Sequence, residues 1–504
     1  MSSPLLLTGH DLTVADVAAV ARNARRVALA PEAAERMRAS RSVIEELVAD
    51  GATVYGVTTG FGDLANVRIE PGQVAELQRN LVRSHTAGVG EPLPVAVVRA
   101  MLLLRANALA IGLSGVRPEL AELLCAMLAA SIHPVIPSRG SVGASGDLAP
   151  LAHLAAVLIG EGYADTPSGP MSGGDALRAA GLAPVELGAK EGLALLNGTQ
   201  LMTGIAALVC HDGRRLAESA DVIGAMSLEA MEGTAVAFDE GLIGARPHAG
   251  QVAAAAHLRA LLAGSEIGSS HADSEHRLQD AYSLRCMPQV HGAVRDALDQ
   301  LERVLAVEMN AATDNPLVLD GRVVSGGNFH GEPVALAIDY IKIALAELAS
   351  ISERRTARLV DAHLSGLPAF LSDEPGLRSG MMILQYTAAA AVNELQTLAH
   401  PSSVDTIPTS ANQEDHVSMG ATGAVHLWEV ADRVETVLAI EALCAAQGLD
   451  FRAPMRPGDG VARAHARLRD LVPHVAEDRS PAPDIAAARG LLRSGDLLAA
   501  ATQA

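Results

Sequence analysis

The segment Gly140–Pro150 contains the residues whose types and spacing most suggest chemistry. Three of its glycines fall within seven residues, and Ala144 and Ser145 stand directly before the third. Glycines at this density let a backbone bend sharply and approach itself closely. The serine also resembles that of a nucleophile elbow, but Asp147 occupies the position of that motif's last glycine. The pattern argues against a serine hydrolase and predicts a tight loop, with Asp147 capping the helix that follows.

The sequence lacks the other short motifs that commonly carry chemistry. It contains neither of the glycine-rich patterns that hold nucleotide phosphates, and it has no H-E-x-x-H zinc motif. Its 17 histidines show no spacing typical of metal ligands. We therefore expect neither a nucleotide nor a metal ion.

A longer string around the serine resembles a known family. Ala144-Ser145-Gly146 is followed by Asp-Leu-Ala-Pro-Leu-Ala-His, which is similar to the signature of the aromatic amino acid ammonia-lyases and aminomutases. In that family the glycine nitrogen attacks the alanine carbonyl, and the serine becomes the exocyclic methylene of a 4-methylidene-imidazol-5-one ring. The resemblance implies that Ala144, Ser145 and Gly146 form this group and that no external cofactor is needed. Such an electrophile takes up the substrate amine, since no ordinary side chain is electrophilic.

The resemblance extends over several separate strings, from about residue 50 to residue 450, that keep the family's order. Taken singly, each residue in these strings would be ascribed to packing, ion pairing or an exposed loop. The roles that the resemblance implies are catalytic base for Tyr55, substrate selectivity for Ser84 and His85, contact with the substrate carboxylate and the cofactor for Asn197, assistance to the eliminating amine for Tyr282, carboxylate anchor for Arg285, and substrate contact for Gln279, Phe329, Gln413 and Glu414.

Two positions bear on the choice of substrate. Ser84-His85 matches the histidine-specific members of the family, but some tyrosine aminomutases have the same pair. Glu414 matches the histidine-specific members more selectively, because the phenylalanine and tyrosine enzymes generally have no glutamate there. A carboxylate accepts an imidazole N–H strongly, and it would be costly opposite a phenyl ring. The resemblance therefore implies deamination of L-histidine to trans-urocanate and ammonia, with a tyrosine or phenylalanine lyase or a 2,3-aminomutase as the alternative.

Two further alternatives belong to other classes of protein. One is a lyase of the fumarase type without a self-made cofactor, and Ser145 in its full string argues against it. The other is a helical scaffold that has lost its chemistry. The presence of Tyr55, Ser145 and Arg285 together argues against that.

The elements that must position these residues are predicted to be mainly helical. Aromatic residues make up only 2 % of the 504 residues, so the core must be aliphatic, and its Ala- and Leu-rich composition favours helices. A short β-strand that runs into a tight loop is predicted over Ala52–Phe61. The predicted helices are one opened by a capping box at Thr13 and Asp16, those over residues 31–50, 202–231, 288–311, 333–366, 380–400 and 417–447, the last stopped by Gly448, and short ones after Arg452.

These elements predict a mainly α protein built around a long-helix bundle, similar to that of fumarases and aspartases. We expect residues 1–200 to form a smaller N-terminal region of mixed structure that carries the tyrosine loop and the self-made cofactor. Residues 201–504 are expected to form the bundle. The resemblance implies a homotetramer with shared active sites, and the apolar seam from Val334 to Leu348 suits helix association.

Charge and cysteine content bear on partners and location. The formal net charge of −20 argues against nucleic acid or an anionic membrane as a partner. Residues 192–211 lack Asp, Glu, Lys and Arg but include polar residues at their centre, so we expect buried interior and not a membrane span. The first residues do not have the pattern of a signal peptide. Four widely separated cysteines predict reduced thiols, and hence a cytoplasmic protein.

Overall fold

The computed structural model describes residues 3–60, 69–271 and 279–503, and the chain falls into two compact units. Unit 1 comprises Met1–His211, Leu301–Asp339 and Pro401–His426, and unit 2 comprises Asp212–Gln300, Tyr340–His400 and Leu427–Ala504. Two later stretches of chain therefore fold with the N-terminal part. The two-region split near residue 200 is a simpler division of the chain and stays a prediction.

All strands of the described residues lie in unit 1, where they form four small sheets. The pairings are β1 (Leu5–Leu7) with β2 (Val27–Leu29) in parallel, and, antiparallel, β3 (Val89–Pro92) with β5 (Pro137–Arg139), β4 (His133–Pro134) with β6 (Tyr163–Thr166), β6 with β7 (Gly169–Ser172), and β8 (Leu317–Leu319) with β9 (Arg322–Val324). Because each strand has only two to four residues, these sheets fix loops and do not form a core.

Helices make up most of the remaining described residues, as the predicted fold class requires. In chain order they are α1 (Val14–Asn23), α2 (Pro31–Ala49), α3 (Val74–His85), α4 (Val95–Ala110), α5 (Pro118–Ala130), α6 (Leu148–Leu158), α7 (Gly173–Ala179), α8 (Glu191–Leu196), α9 (Gln200–Ala230), α10 (Glu240–Gly244), α11 (Ala249–Leu261), α12 (Glu266–Ser270), α13 (Tyr282–Arg285), α14 (Met287–Glu308), α15 (Glu332–Val360), α16 (Ala362–Ser365), α17 (Met382–Leu398), α18 (Gly420–Asp450), α19 (Asp459–Arg469), α20 (Ala482–Ser494) and α21 (Asp496–Thr502).

The first helices of unit 1 begin where local sequence signals predict. The Thr13 hydroxyl accepts a hydrogen bond from the Asp16 N–H at 3.1 Å, and the Asp16 carboxylate accepts one from the Thr13 N–H at 3.2 Å. This capping box satisfies two backbone donors that a helix start leaves free. Pro31 opens α2, where its missing N–H costs nothing. α4 is almost wholly buried and packs against α1 and α5, so it forms the centre of this part of the unit.

Three helices of unit 1 position the predicted site. α3 ends with Ser84 and His85, α6 directly follows the glycine-rich segment, and α8 ends one residue before Asn197. These three helices pack against one another in pairs. The buried Gln78 side chain on α3 accepts a hydrogen bond from the backbone N–H of Gly192, in the first turn of α8, at 2.9 Å. α3 and α8, the helix that leads into Asn197, are therefore fixed to each other.

Unit 2 is a bundle whose long helices are joined by buried charged side chains. Glu441 on α18 accepts hydrogen bonds from Arg355 on α15 and Ser227 on α9 at 2.5–2.9 Å. On α14, His291 lies 2.7 Å from Asp221 through Nδ1 and 3.4 Å from Arg355 through Nε2. Buried charges are costly unless they are paired, so these contacts hold α9, α14, α15 and α18 in one register. The predicted long-helix bundle is confirmed.

Within residues 52–60, the structure has the predicted tight loop but not the β-strand predicted before it. Residues 55–58 form a turn, in which the Thr58 N–H donates to the Val54 carbonyl at 3.0 Å. The Thr58 hydroxyl donates to the Ala52 carbonyl at 2.6 Å. A threonine that favours a strand by propensity thus satisfies the backbone of a turn, which is the competing use of such side chains. Phe61, the last residue of the predicted segment, lies outside the described residues.

The predicted stop of the last long helix is also wrong. α18 continues through Gly448 to Asp450. A Cβ at Gly448 would lie 3.0 Å from side-chain atoms of both Ala230 and Leu367. The glycine therefore serves close packing inside unit 2 and does not end the helix.

The apolar seam of α15 is buried within the chain itself. Its residues Val334, Ile338, Ile341, Leu345 and Leu348 have no exposed surface. The seam is therefore part of the core and is not available for association between subunits, contrary to the prediction.

The uncharged segment 192–211 lies in α8, α9 and the loop between them. Every residue from 192 to 210 is buried, as predicted for polar-lined interior. Within the described residues, no helix has both the length and the apolar character that a membrane crossing needs.

Candidate active site

The segment Ala144–Gly146 lies in a tight turn whose ends are joined by a backbone bridge between Gly143 and Gly146. Gly146 also forms a bridge with Gly198, whose N–H donates to the Ser145 carbonyl at 3.3 Å. Gly146 has a φ of +72°, and a Cβ there would lie 2.0 Å from the Gly198 carbonyl oxygen. Only glycine fits such a position, so the turn depends on the glycine that the motif supplies.

Two serines hold this turn from either side. The Ser141 hydroxyl donates to the Gly146 carbonyl at 2.9 Å, and the Ser418 hydroxyl donates to the Gly143 carbonyl at 3.2 Å. Gly143 has a φ of +72°, and a Cβ there would lie 2.3 Å from the Ser418 Oγ. The backbone around Ser145 is thus constrained on both sides before any chemistry takes place.

The Asp147 side chain caps a helix, but not the one predicted. No side-chain hydrogen bond caps α6, although Asp147 stands at its N-cap position. Its Oδ2 instead accepts hydrogen bonds from the N–H groups of Leu201, at 2.8 Å, and Met202, at 3.2 Å, in the first turn of α9. Burial raises the pKa of Asp147 to about 7, and the two backbone hydrogen bonds oppose that rise. The turn is therefore anchored to the start of a 31-residue helix.

Asn197 lies next to this turn, and only 3 % of its surface is exposed. Its Nδ2 donates to the Asn315 carbonyl at 3.0 Å and lies 3.5 Å from Oδ1 of Asp314. Its Oδ1 has no hydrogen-bond donor among the described residues. The side chain therefore presents a free acceptor, while the adjacent Gly198 contacts the glycine-rich turn through its backbone.

Tyr55 lies at the start of the turn that replaces the predicted strand, and it is half-buried. Gly56 follows it with a φ of +69° and donates its N–H to the Thr59 hydroxyl at 3.3 Å. The turn therefore holds the tyrosine on an irregular but hydrogen-bonded backbone. Residues 61–68, which complete this string, lie outside the described residues.

Ser84 and His85 are the last two residues of α3. The Nδ1 atom of His85 lies 2.9 Å from the Leu81 carbonyl and 3.0 Å from the Ser84 hydroxyl. A carbonyl only accepts, so Nδ1 carries the proton that joins it to Leu81, and Nε2 is the acceptor of the neutral ring. Burial lowers the pKa of His85, against the opposing effects of the Leu81 carbonyl and the Glu414 carboxylate. The Glu414 carboxylate therefore lies within electrostatic range of the His85 ring.

Glu414 is held by a strained loop. Thr409 and Glu414 form a backbone bridge, and the Thr409 hydroxyl donates to the Glu414 carboxylate at 2.5 Å. Between them, Ser410, Ala411 and Asn412 all have a positive φ, of 51°, 54° and 68°. Such angles are costly for residues other than glycine and cluster at functional sites. The loop therefore fixes Glu414, the carboxylate that the sequence resemblance relates to the imidazole of a histidine substrate.

The strings that contain Phe329 and Gln413 are brought together as well. His330 and His416 stack with ring centroids 6.0 Å apart and an interplanar angle of 7°. The His330 Nε2 also lies 3.2 Å from the His416 carbonyl. Phe329 is half-buried, whereas Gln413 is exposed.

The remaining three predicted residues belong to unit 2. Tyr282 and Arg285 lie one turn apart on α13, and the guanidinium carbon is 4.9 Å from the tyrosine ring centroid. Tyr282 is 71 % exposed, and Gln279 is exposed as well. The buried Nε of Arg285 has no hydrogen-bond partner among the described residues. The pair thus presents an aromatic hydroxyl and a cation together.

Comparison with known proteins assigns the family. The sequence pattern described as aromatic amino acid lyase matches residues 12–470. The chain belongs to the aromatic amino acid lyase family. It is 56 % identical to the histidine ammonia-lyase of Anaeromyxobacter dehalogenans, over 98 % of this chain and 99 % of the relative.

Solved structures of the lyase family share the fold. The histidine ammonia-lyase of Trypanosoma cruzi superposes with a TM-score of 0.92 at 43 % identity, over 99 % of this chain and 95 % of that one. The tyrosine aminomutase of Streptomyces globisporus superposes with a TM-score of 0.94 at 39 % identity, over 99 % and 98 %. Fold similarity alone therefore does not separate histidine from tyrosine as the substrate.

Sequence reasoning missed several residues that contact the candidate site. Lys190 and Asp314 form a buried ion pair beside Asn197, although 124 positions separate them in the chain. Thr409 orients Glu414 but lies just outside its string. Asp147 was recognised as a cap, but nothing local shows that its helix lies more than fifty residues downstream. Such contacts arise only from the folded chain.

Proposed function

We propose that the protein eliminates ammonia from L-histidine and forms trans-urocanate. The observation that carries this proposal is that the Glu414 carboxylate, which Thr409 holds in place, lies within electrostatic range of His85 at the end of α3. The Glu414 carboxylate can accept a hydrogen bond from the substrate imidazole, and His85 offers a ring nitrogen to the same imidazole. The 56 % identity to a relative named histidine ammonia-lyase supports the same substrate.

The residues present fit the self-made cofactor, which we propose to be a 4-methylidene-imidazol-5-one formed from Ala144, Ser145 and Gly146. The turn is closed by a backbone bridge, and a Cβ at Gly146 would lie 2.0 Å from a carbonyl oxygen. A backbone bent in this way brings an amide nitrogen towards a carbonyl two residues earlier. When formed, the group supplies an electrophilic methylene for the substrate amine.

The other side chains of the site bind and orient the substrate and move its proton. Tyr55 is proposed to remove the β-proton, as a general base on a fixed turn. Arg285 holds the substrate carboxylate through its planar fork, and Tyr282, stacked on it, assists the departing amine. The proposal also gives substrate contacts to Ser84, Asn197, Gln279, Phe329 and Gln413.

The direct test supplies single amino acids and follows the conjugated product by its ultraviolet absorbance. We expect product from L-histidine and much slower product formation from L-tyrosine and L-phenylalanine. A preference for tyrosine, or a β-amino acid product, would instead place the protein with the aminomutases whose fold it shares.

Substitutions of Glu414 and His85 test the preference for L-histidine over L-tyrosine and L-phenylalanine as substrates. Glu414→Ala should lower kcat/KM for L-histidine by about 10- to 100-fold, because a charge-assisted hydrogen bond contributes roughly 1.5–3 kcal/mol. His85→Leu should weaken histidine turnover and admit a phenyl ring more readily. The measurement is kcat/KM of the parent and both variants on all three amino acids. Glu477→Ala, at a carboxylate in unit 2 whose side chain is 85 % exposed, is a control for general effects. Unchanged histidine turnover in Glu414→Ala would refute the imidazole contact.

Arg285→Lys should raise KM for L-histidine by about tenfold or more, because an ammonium cannot reproduce the two parallel hydrogen bonds of a guanidinium. Because Ala144–Gly146 is not altered, the peptide that contains this segment should still be lighter by two water molecules, as in the parent protein. Steady-state kinetics on the purified variant test this. An unchanged KM would remove Arg285 from the carboxylate contact.

We further propose a homotetramer with shared active sites, working in the cytoplasm. α15 exposes Leu336, Tyr340 and Ile343 although its apolar seam is buried, and such an apolar outer face suits a subunit contact. No cysteine of the described residues forms a disulfide, which suits a reducing compartment.

A further inference from the structure

A buried ion pair lies directly behind Asn197. The Lys190 Nζ is 2.6 Å from Oδ2 of Asp314, and their side chains are 1 % and 0 % exposed. The other carboxylate oxygen, Oδ1, accepts the N–H of Asn315 at 2.6 Å and lies 3.5 Å from Nδ2 of Asn197. One carboxylate thus serves the ammonium on one side and the asparagine on the other.

This pair is not explained by stability alone. Burial lowers the pKa of Lys190, and the Asp314 carboxylate opposes that shift. Replacing a buried ion pair by apolar residues of similar size is often neutral or stabilising. Arg105, also fully buried, donates to the backbone carbonyl of Asn197 at 2.7 Å. Charged groups therefore hold both the backbone and the side chain of this one asparagine.

The two acceptors determine which way the Asn197 amide faces. Both N–H bonds of Nδ2 point to acceptors, the Asn315 carbonyl and the Asp314 carboxylate. Turning the amide over would place its oxygen against two other oxygens, which is unfavourable. Oδ1 is thus kept as the atom without a donor among the described residues. It can accept a hydrogen bond from an amine, but it offers nothing to a carboxylate, which only accepts.

We infer that Asp314, held in place by Lys190, is a positioning residue that turns the Asn197 amide so that Oδ1 accepts a hydrogen bond from the substrate amine. The inference rests on the proposed function and adds to it. It changes the role that the sequence resemblance implies for Asn197, because the amine replaces the carboxylate as the partner of Oδ1.

Two double variants separate the effect of the hydrogen-bond acceptor at position 314 from the effect of the Lys190–Asp314 ion pair. Lys190→Met with Asp314→Leu removes the ion pair and the acceptor. Lys190→Met with Asp314→Asn removes the ion pair as well, but without the lysine the new amide can turn its oxygen towards Asn197. Both pairs are prepared in the Ser145→Ala background, in which L-histidine is bound but not consumed. Thermal unfolding checks that each protein is folded.

The readout is the affinity for L-histidine relative to 3-(imidazol-4-yl)propanoate, which lacks the amine, measured by calorimetry. The leucine pair should lose about tenfold in this ratio, as expected for one hydrogen bond to a charged amine, while its affinity for the propanoate is unchanged. The asparagine pair should keep the ratio of the Ser145→Ala protein to within about threefold. Equal ratios in the two pairs would overturn the inference.

The single variant Asp314→Asn decides the question if the leucine pair does not fold. With Lys190 present, the side-chain amide introduced at position 314 has a single oxygen but two neighbouring donors, the Lys190 ammonium and the Asn197 Nδ2. Its NH2 group must therefore face one of these donors. The affinity ratio should then fall, and adding Lys190→Met should restore it, which a merely structural role would not produce. An unchanged ratio in Asp314→Asn would overturn the inference. Failure of the unaltered enzyme to deaminate L-histidine would instead refute the proposed function.

Discussion

Ser145→Ala should abolish deamination of L-histidine, with kcat lower by about 10³-fold or more, because the methylene carbon can come only from the serine side chain. The protein should remain folded. Ser145 is half-buried, and its carbonyl, not its hydroxyl, carries the hydrogen bond to Gly198. Turnover is measured by product absorbance and folding by thermal unfolding.

Peptide mass spectrometry gives an independent check on the same prediction. The peptide with Ala144–Gly146 should be lighter by two water molecules in the parent and unmodified in Ser145→Ala. Ser168→Ala, in the exposed turn between β6 and β7, is a matched control and should keep both the mass loss and the activity. An unmodified peptide from fully active parent protein would refute the self-made cofactor.

Much of the fold follows from local sequence. The capping box at Thr13 and the proline at the start of α2 give their helices because these signals act within one turn of chain. The apolar seam of α15 predicts a long helix with one buried face, because its residues recur at the helical period. The glycine-rich turn is predictable because Gly146 occupies a conformation that other residues rarely adopt.

Other features depend on contacts that no local pattern contains. Thr58 stabilises a turn although its propensity favours a strand, since its hydroxyl finds a backbone carbonyl six residues earlier. Asp147 caps α9 and not α6, because folding brings a distant helix start to it. Gly448 lies within α18, where the packing of Leu367 leaves no room for a side chain. The seam of α15 is filled by the chain's own core and is not free for another subunit.

The site divides in the same way. The structure places Ser145, Asn197, His85 and Glu414 in unit 1, whereas the predicted split near residue 200 separates Glu414 from the other three. The Glu414 carboxylate lies within electrostatic range of His85. The sequence gives no sign of the Asp314 carboxylate that faces the Asn197 amide. The sequence thus indicates which residues belong to the candidate site, but the orientation of a polar side chain such as Asn197 depends on partners far along the chain.

Tyr55→Phe should lower kcat for L-histidine by about 10²-fold or more, because it removes the group proposed to take the β-proton and leaves the ring in place. KM should change much less, since the carboxylate and imidazole contacts belong to other residues. The turn that carries Tyr55 is held by Thr58 and Thr59, whose bonds the substitution does not touch. Folding and the mass loss at the cofactor segment should therefore be those of the parent.

Tyr163→Phe provides the matched control for loss of a hydroxyl, because Tyr163 is 69 % exposed on β6. It should leave kcat unchanged. The decisive comparison is the rate of β-deuterated against unlabelled L-histidine in the parent and in Tyr55→Phe. If Tyr55 takes the proton, the variant should show a larger isotope effect, because proton removal then limits turnover. If Tyr55→Phe matches the parent in kcat, Tyr55 is not the base, and the exposed hydroxyl of Tyr282 becomes the next group to test.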